Sequence, residues 1–395
     1  MIIKAFVILW IGWLLSLQSV LATGKTTLVL GYVELEKDPR YKEERLYAGI
    51  EFKPRGRPWL GAEVALRESR IVGRALGVKF RLEKVSGKNN EELAAAINRL
   101  HEVQNIGFFL MDTPVETLVA VTEATTNKPL ILFNVSESAD ELRGIQCKPH
   151  LMHTIPSYAM LADGLAQYLL TKRWKNILLL RGVLSSDNAL AKAFSRSAKK
   201  FGLKITAEKE FILSNNPRQR DRNNITLLTT HKSDVVLLVD TDGEFGRYVP
   251  FQTVHPRPIV GTEGLVASAW HWAWERHGAP QLNQRFVKRA KRKMLDSDWA
   301  AWAAVKVVVE SVLRTKSTDF GKISDYLKSE GLNLDAYKGV PASFRSWDNQ
   351  LRQPILLHTH NAVVELAPLQ GFLHQTQNLD TLGITAEVSK CLLKN

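Results

Sequence analysis

Residues 26–35 read TTLVLGYVEL, an apolar run rich in β-forming residues, and the segments that follow this run decide the fold class. A helical period of apolar residues covers 59–76 and stops at Gly77. Short apolar strands and amphipathic helices then alternate, with predicted strands at 78–85, 108–111 and 130–135 and predicted helices at 89–103 and 114–126. Short apolar strands between amphipathic helices indicate a parallel sheet that helices cover on both faces.

The same alternation restarts after residue 157. The pattern there predicts helices at 158–170 and 188–201, and strands at 177–180, 203–208, 235–239 and 258–261. Further helices at 280–293 and 299–313 and a late strand at 354–358 indicate that the chain crosses back and forth between the two blocks. The sequence therefore predicts an α/β protein with two doubly wound parallel-sheet lobes, joined by a hinge of several strands.

The N-terminus has the pattern of a secretory signal peptide. Lys4 is the only charged residue before Lys25, an apolar run extends from Ala5 to Leu17, and short residues precede position 23. An uncleaved membrane anchor is the alternative, but the run is shorter than the roughly 20 apolar residues that a span needs. We expect residues 1–22 to be removed, and the mature protein to be exported to the periplasm.

The predicted domain boundaries follow from these two blocks. We expect the first lobe to comprise residues 23–154 and 276–343, and the second lobe residues 155–275 and 344–368, with a C-terminal tail over 369–395. A mature length of about 370 residues also favours two domains over one.

The charge balance narrows the class of partner. The chain has 53 basic and 40 acidic residues, a formal net charge of +13, and the basic residues are mostly dispersed. Such a surface suits nucleic acid, an anionic membrane or an acidic ligand. Because export makes nucleic acid an unlikely partner, an acidic small molecule is the expected one.

The cysteines, a histidine pair and the absence of catalytic motifs indicate which chemistry the chain can carry out. Cys147 and Cys391 are the only two cysteines, and such a pair tends to form a disulfide in an oxidising compartment; two buried thiols are the alternative. His358 and His360 place two imidazoles on one strand face without an evident third ligand. No nucleotide-binding, hydrolase or metalloprotease motif is present, so we expect no enzyme activity, no metal and no catalytic cofactor.

Polar residues follow several predicted strands. Ligands of doubly wound sheets bind beyond the carboxyl ends of the strands, so these residues are candidates for a binding site. The candidates are Asp112, Thr113, Ser136, Arg181 and Glu263. Several of these positions also precede helix N-termini, whose free N–H groups favour anions.

Three short stretches carry a resemblance to a known family. VGTEG (260–264), WAAV (302–305) and FRSWDN (344–349) resemble the type I periplasmic solute-binding proteins of ABC importers, particularly the branched-chain amino acid group. The resemblance implies a Venus-flytrap protein that holds its ligand between two lobes. It also implies that closure about the hinge signals occupancy to a membrane permease, and we expect a monomer.

A narrower resemblance rests on two longer, tryptophan-rich strings. GTEGLVASAWHWAWERHGAPQLNQRF (261–286) and SDWAAWAAVKVVVESV (297–312) are similar to the subgroup that accompanies pyrroloquinoline quinone (PQQ)-dependent alcohol dehydrogenase systems. This resemblance implies PQQ, or a compound tied to its use, as the ligand. Two alternatives stay open: a binder of a small amino or hydroxy acid, and an accessory protein that loads the cofactor of an exported dehydrogenase.

A flat quinone with three carboxylates requires aromatic faces and planar cationic donors. We expect two or three indoles of the tryptophan-rich strings, in an extended segment and an adjacent helix, to reach the cleft. The candidates for stacking are Trp59, Trp270, Trp272, Trp299 and Trp302. The candidates for the carboxylates are Arg55, Arg57, Arg181 and Arg276, while Asp112, Thr113, Ser136 and Glu263 would orient polar edges. Asp112 and Glu263 fit an anionic ligand only if neighbouring groups neutralise them.

Overall fold

A computed structural model describes residues 26–42, 55–212, 217–391 and 393. The predicted signal peptide, residues 1–22, lies outside the described residues. None of the helices in the described ranges combines the length and the apolar character that a bilayer crossing requires.

The first lobe contains a five-stranded parallel sheet in the order β2-β1-β3-β4-β5. Its strands are β1 (Thr26–Leu35), β2 (Val78–Gly87), β3 (Phe108–Asp112), β4 (Ile131–Asn134) and β5 (Leu151–His153). Its first four helices are α1 (Trp59–Glu68), α2 (Arg70–Leu76), α3 (Asn90–Gln104) and α4 (Val115–Ala124). The central strands β3 and β4 are buried along their whole length, as the apolar runs predict for a sheet covered on both faces.

Local signals set the helix ends in this lobe. The Asn89 side chain accepts a hydrogen bond from the backbone N–H of Glu92 at 2.9 Å and so caps α3. Gly77 ends α2 with a positive φ of 68°, a conformation that glycine adopts at low cost. These are the asparagine and the glycine that the sequence offers at those positions.

The second lobe contains a seven-stranded sheet in the order β14-β13-β10-β9-β8-β6-β7. Five of its strands run parallel: β6 (Asn176–Arg181), β7 (Lys204–Glu210), β8 (Val235–Val239), β9 (Ile259–Gly261) and β10 (Leu265–Ser268). The strands β13 (Ile355–His358) and β14 (Val363–Ala367) extend the sheet in antiparallel orientation. The helices of this lobe are α5 (Tyr158–Thr171), α6 (Ser185–Lys200), α7 (Ile225–Leu228) and α8 (Val249–Gln252).

Three late helices return to the first lobe. They are α9 (Ala279–Ala290), α10 (Asp296–Thr315) and α11 (Phe320–Lys328), followed by the short hairpin of β11 (Ser343–Phe344) and β12 (Leu351–Arg352). Helix α10 packs against α1 so closely that a β-carbon at Gly61 would collide with the carbonyl oxygen of Asp298. The late helices therefore complete the core of the first lobe.

The chain crosses between the two hydrophobic cores three times. Core membership changes between Ile155 and Met160, between Leu265 and Ala269, and after Leu351. Along β13 it alternates, because Ile355 and Leu357 face the core of the second lobe and Leu356 that of the first. The domain boundaries predicted from the sequence stay predictions. In the packing, the change after Leu265 comes before the predicted boundary at 275, because Ala269, Trp270 and Trp274 belong to the core around the first sheet.

The C-terminal tail spans both lobes. Leu369 and Leu382 pack in the core of the second lobe. Beyond them, Cys391 forms a disulfide with Cys147 of the first lobe, with a Cα–Cα distance of 5.6 Å and a separation of 244 residues. The disulfide therefore adds a covalent connection between the lobes to the three chain crossings.

Candidate functional site

The carboxyl ends of the first sheet bring together a group of charged and aromatic side chains, which we call the arginine cluster. Strand β1 leads into a loop that carries Asp38, Arg40 and Tyr41, and Arg57 precedes α1. Strand β3 ends at Asp112, and Ser136 and Glu137 follow β4. The arginine cluster comprises these seven residues and lies at the sheet edge where ligands of such folds bind.

Arg40 is held in one orientation by several acceptors. Its Nη2 lies 2.6 Å from Asp38 Oδ2, and its Nη1 lies 2.6 Å from Glu137 Oε1. Nη1 also donates to Ser136 Oγ at 3.0 Å, and Nη2 lies 3.3 Å from Asp112 Oδ1. Planar guanidinium groups with several charged acceptors are pre-organised, so little further ordering is needed when they bind an anion.

Arg57 is anchored beside Arg40. Its Nη1 lies 3.3 Å from Asp112 Oδ2, and its Nη2 donates to the carbonyl oxygen of Leu35 at 2.6 Å. The guanidinium carbon lies 4.6 Å from the centre of the Tyr41 ring, within the range of a cation–π contact. Tyr41 in turn donates its hydroxyl to Asp112 Oδ1 at 2.6 Å. Asp112 thus connects both arginines through one buried carboxylate.

The burial of this cluster decides what it presents to a ligand. The side chains of Asp38 and Asp112 are 0 % exposed, whereas Arg40 keeps 26 % and Arg57 keeps 22 % of their side-chain surface exposed. The acids therefore lie behind the arginines. Burial and the charge of Asp112 raise the pKa of Tyr41 well above its usual value, so its hydroxyl stays protonated at neutral pH. The most exposed charged groups of the cluster are the two guanidiniums, while Glu137 keeps 12 % of its side-chain surface exposed.

Donors of two kinds without a side-chain partner lie beside the cluster. Helix α4 begins directly after Asp112 and Thr113, and no side chain caps its N-terminus. The hydroxyl of Thr113 is buried and has no hydrogen-bond partner within the described residues. Free N–H groups at a helix start favour a bound carboxylate or phosphate.

The charges of the arginine cluster and of the adjacent pair of Glu34 and Lys84 limit the ligand. Glu34, Asp38, Asp112 and Glu137 supply four carboxylates, while Arg40, Arg57 and Lys84 supply three cations; Lys84 Nζ lies 2.8 Å from Glu34 Oε1. Burial raises the pKa of Glu137, and Arg40 opposes this shift. The acids exceed the cations by one, so every carboxylate of a ligand adds to a net negative charge. A ligand with three carboxylates therefore meets more repulsion here than a ligand with one.

At the carboxyl ends of the second sheet, which face the cluster from the second lobe, buried aspartates accept hydrogen bonds from backbone N–H groups. Asp187 Oδ2 accepts from the N–H of Leu184 at 3.1 Å and so caps α6, while its Oδ1 accepts from the N–H of Thr241 at 2.8 Å. Asp240 Oδ2 accepts from the N–H of Gly246 at 2.5 Å. These carboxylates are satisfied by backbone donors, so they shape the second edge instead of offering free charge.

Contacts near the hinge place the two edges side by side. Tyr158 begins α5, and its backbone N–H donates to the carbonyl oxygen of Ser138 at 2.8 Å. Burial raises the pKa of Tyr158, and so do the charges of Glu137 on the first lobe and Asp187 on the second. Arg196 of α6 forms an ion pair with Asp140 at 2.5 Å across the lobes. The arginine cluster therefore faces the second lobe.

The predicted stacking surface is corrected by the structure. Trp270, Trp299 and Trp302 are buried in the first core, where the rings of Trp270 and Trp299 stack with centroids 6.2 Å apart. Their indole N–H groups are also engaged: that of Trp270 with Asn283 at 2.9 Å, and that of Trp302 with Glu68 at 2.9 Å. No face of these three rings is left for a ligand.

The segment around Trp272 is not extended as expected. The chain turns at 272–273, and the N–H of Trp274 donates to the carbonyl oxygen of His271 at 3.1 Å. The three indoles at 270, 272 and 274 therefore do not share one face. Trp272 is half-buried, and the Lys293 ammonium lies 3.3 Å from its ring centre.

The remaining predicted site residues divide into two groups. Arg57, Trp59, Asp112, Thr113 and Ser136 lie at the edge of the first sheet, where Trp59 packs edge-on against Tyr32 at 5.2 Å. Arg55 also lies beside the cluster, where it donates to the carbonyl oxygens of Arg40 at 3.4 Å and Lys42 at 3.0 Å. The structure does not bring the other three residues there. Arg181 is paired with Glu208 and Glu210 on the second lobe, Glu263 is half-buried beside Gly246, and Arg276 is exposed.

Sequence reasoning missed four members of the cluster. Asp38, Arg40 and Tyr41 lie in the stretch DPRY, and Glu137 follows a site residue that was predicted. The available signal was position: a polar loop directly after the first strand of a parallel sheet lies at the ligand-binding edge.

Comparisons with known proteins give a clear result at the level of fold. No family model and no curated protein matches the chain. Among solved structures, the periplasmic ligand-binding protein of a branched-chain amino acid ABC transporter from Burkholderia xenovorans superposes with a TM-score of 0.69 at 13 % identity, covering 93 % of this chain and 99 % of that one.

Two liganded structures are also similar. A solute-binding protein of an ABC transporter from R. palustris in complex with benzoate gives a TM-score of 0.65 at 12 % identity, covering 93 % and 100 % of the two chains. A branched-chain amino acid binding protein from Streptococcus pneumoniae in complex with isoleucine gives 0.62 at 16 % identity, covering 86 % and 99 %. The fold is that of the periplasmic solute-binding proteins, and the predicted two-lobed α/β architecture is confirmed.

Proposed function

We propose that this protein is the periplasmic solute-binding component of an ABC import system, and that it captures a small organic carboxylate between its lobes. Arg57 binds the carboxylate of the ligand, while Tyr41 and Trp59 contact its body. Arg40 contributes positive charge instead of a hydrogen bond, because its N–H groups already donate to Asp38, Asp112, Ser136 and Glu137. Closure of the second lobe over the ligand then presents the complex to a membrane permease. No catalytic step is part of this proposal.

One observation carries the proposal: two partly exposed guanidiniums lie at the ligand-binding edge with fully buried carboxylates behind them. Buried carboxylates fix the arginines in place but cannot reach a ligand, so the accessible charge is positive. The bound molecules in two similar structures, benzoate and isoleucine, each carry one carboxylate, which supports the same class of ligand here.

PQQ remains a member of this class, with less support than a monocarboxylate. Three of the five indoles that were expected to stack on it, Trp270, Trp299 and Trp302, are core residues, and the arginine cluster already contains more acids than cations. Delivery of PQQ to an exported alcohol dehydrogenase therefore ranks behind import of a smaller carboxylate. A PQQ titration decides between the two.

Isothermal titration with benzoate, isoleucine and PQQ tests the proposal. We expect at least one of the three to bind the wild-type protein, and R57Q to weaken that binding by about tenfold or more, because a charge-assisted pair with the ligand is lost. R57K should recover only part of the affinity, since an ammonium cannot form the bidentate pair. R276Q is the matched control, because Arg276 is exposed outside the cluster. Equal affinity of R57Q and R276Q would contradict the proposed site.

A further inference from the structure

A second electropositive feature lies on the outer side of the first lobe, which we call the outer groove. It has a volume of about 720 Å³ and is formed by α1, α2 and the start of β2. Its lining is Glu63, Leu66, Arg67, Arg70, Gly73, Arg74, Val78, Lys79 and Phe80. The volume falls within the range of small-molecule sites.

The cations of the outer groove form one stripe. Arg67, Arg70 and Arg74 are spaced by three and four residues, so they lie along one face of the consecutive helices α1 and α2. All three are exposed, as is Lys79 on the facing strand. Like charges at this spacing repel each other and lower helix stability.

These four cations have no compensating acid. Within the described residues, the side chains of Arg67, Arg70, Arg74 and Lys79 make no hydrogen bond or ion pair. The one acid in the lining, Glu63, lies 2.7 Å from the guanidinium of Arg289 and is thereby neutralised. The groove therefore keeps four uncompensated positive charges around an apolar floor.

The apolar residues at the floor of the outer groove indicate what kind of ligand it would accept. Leu66, Val78 and Phe80 are half-buried apolar residues between the cations. Gly73 lets α2 pack closely on the start of β2, since a β-carbon there would lie only 2.5 Å from the carbonyl oxygen of Val78. An occupant that combines a multivalent anionic group with an apolar part would satisfy both the rim and the floor.

We propose that the outer groove is a second ligand site, which binds a phosphate-bearing anion through Arg67, Arg70, Arg74 and Lys79. Arginine forks match phosphate oxygens in bidentate geometry, and several together bind a multivalent phosphate. The same chemistry is offered by a free phosphorylated compound and by the headgroup of an anionic phospholipid, and the experiment separates these two sources.

The site is independent of the interlobe site. The groove uses the start of β2 at Val78, whereas the arginine cluster lies at the opposite, carboxyl end of the same sheet. A ten-residue strand separates the two ends by about 30 Å. Binding in the outer groove therefore requires neither a ligand in the cleft nor lobe closure, and its failure would leave the proposed import function untouched.

The test uses two probes on the full protein at low ionic strength: titration with inorganic pyrophosphate, and sedimentation with vesicles that contain phosphatidylglycerol or only phosphatidylcholine. The groove variant is R67Q/R70Q/R74Q. The matched control is K192Q/K199Q/K204Q, which removes the same charge from exposed positions of the second lobe. The groove variant should fold normally, with an unchanged or raised melting temperature, because it removes like-charge repulsion.

We expect the wild-type protein to bind pyrophosphate or the phosphatidylglycerol vesicles, and the groove variant to lose about tenfold or more in affinity. The control should stay within about twofold of wild type. Binding of pyrophosphate identifies a free phosphate ligand, and binding of vesicles alone identifies a lipid headgroup; either result supports the site. Binding of neither probe, or an equal loss in the control variant, would overturn the proposal.

Discussion

Asp112 connects the two arginines of the proposed site, and the substitution D112N removes its charge while keeping its size. In the wild-type protein its carboxylate accepts from the hydroxyls of Tyr32 at 2.9 Å and Tyr41 at 2.6 Å, and it contacts Arg40 and Arg57 at 3.3 Å each. An asparagine amide has one acceptor oxygen and two N–H donors, so it cannot satisfy all four partners.

The expected loss of stability depends on the acidic partners that each arginine keeps in D112N. Breaking a fully buried ion pair costs about 3–5 kcal/mol. Arg40 keeps Asp38 and Glu137 as partners, and both arginines are partly exposed, so water screens the lost charge. We therefore expect D112N to lower the free energy of unfolding of the first lobe by about 2–3 kcal/mol.

Urea unfolding followed by circular dichroism measures this cost, and isothermal titration measures the effect on the carboxylate ligand. We expect affinity to fall by about tenfold, because Arg57 loses the anchor that orients it. D325N is the matched control, since Asp325 is exposed on α11. If D112N matches D325N in both stability and affinity, Asp112 does not organise the site and the reasoning is refuted.

Three further predictions concern the core, the disulfide and pH. W302F should lower the free energy of unfolding by about 2 kcal/mol, because a hydrogen bond is lost and a small cavity forms. The affinity for the carboxylate should stay at the wild-type value; weaker binding would show that Trp302 belongs to the ligand site. C147S/C391S should lower the free energy of unfolding by about 3–5 kcal/mol in chemical denaturation, because the disulfide closes a very long loop; a change below about 1 kcal/mol would contradict this. Burial and the charges of His358 and Lys293 lower the pKa of His271 to about 3, below the unfolded value of about 6.5. The neutral imidazole therefore contributes stability above about pH 6.5, and this contribution is lost as the pH falls toward 3. In thermal melts between pH 7 and pH 5, the melting temperature of H271N should fall less than that of wild type. Equal falls in melting temperature would contradict a lowered pKa at His271.

The fold was predictable because its signals are local. The buried strand predicted at 235–239 is β8, and the strand predicted at 108–111 is β3 with one further residue. An apolar run between amphipathic helices needs no distant information to be recognised as a central parallel strand. By contrast, β10 (Leu265–Ser268) was missed, because two of its four residues are only half-buried and the run is short.

The site was less predictable because its contacts are distant in sequence. Arg40 lies in a polar loop that reads as a solvated turn, and its partners Asp112 and Glu137 lie 72 and 97 residues away. Local pattern also failed for the indoles. The turn at 272–273 directs Trp270 into the core, where α10 supplies Trp299 as its stacking partner. The spacing of apolar residues along the sequence indicates neither this turn nor this stacking partner.

A crystal structure of the protein with a bound carboxylate tests the central claim most directly. The crystals should be grown with whichever of benzoate, isoleucine and PQQ binds most tightly in titration. We expect a ligand between the lobes, with a carboxylate oxygen about 3 Å from a guanidinium nitrogen of Arg57. A ligand that does not contact Arg57, or one that stacks on Trp299 or Trp302 after displacing the first core, would contradict this claim.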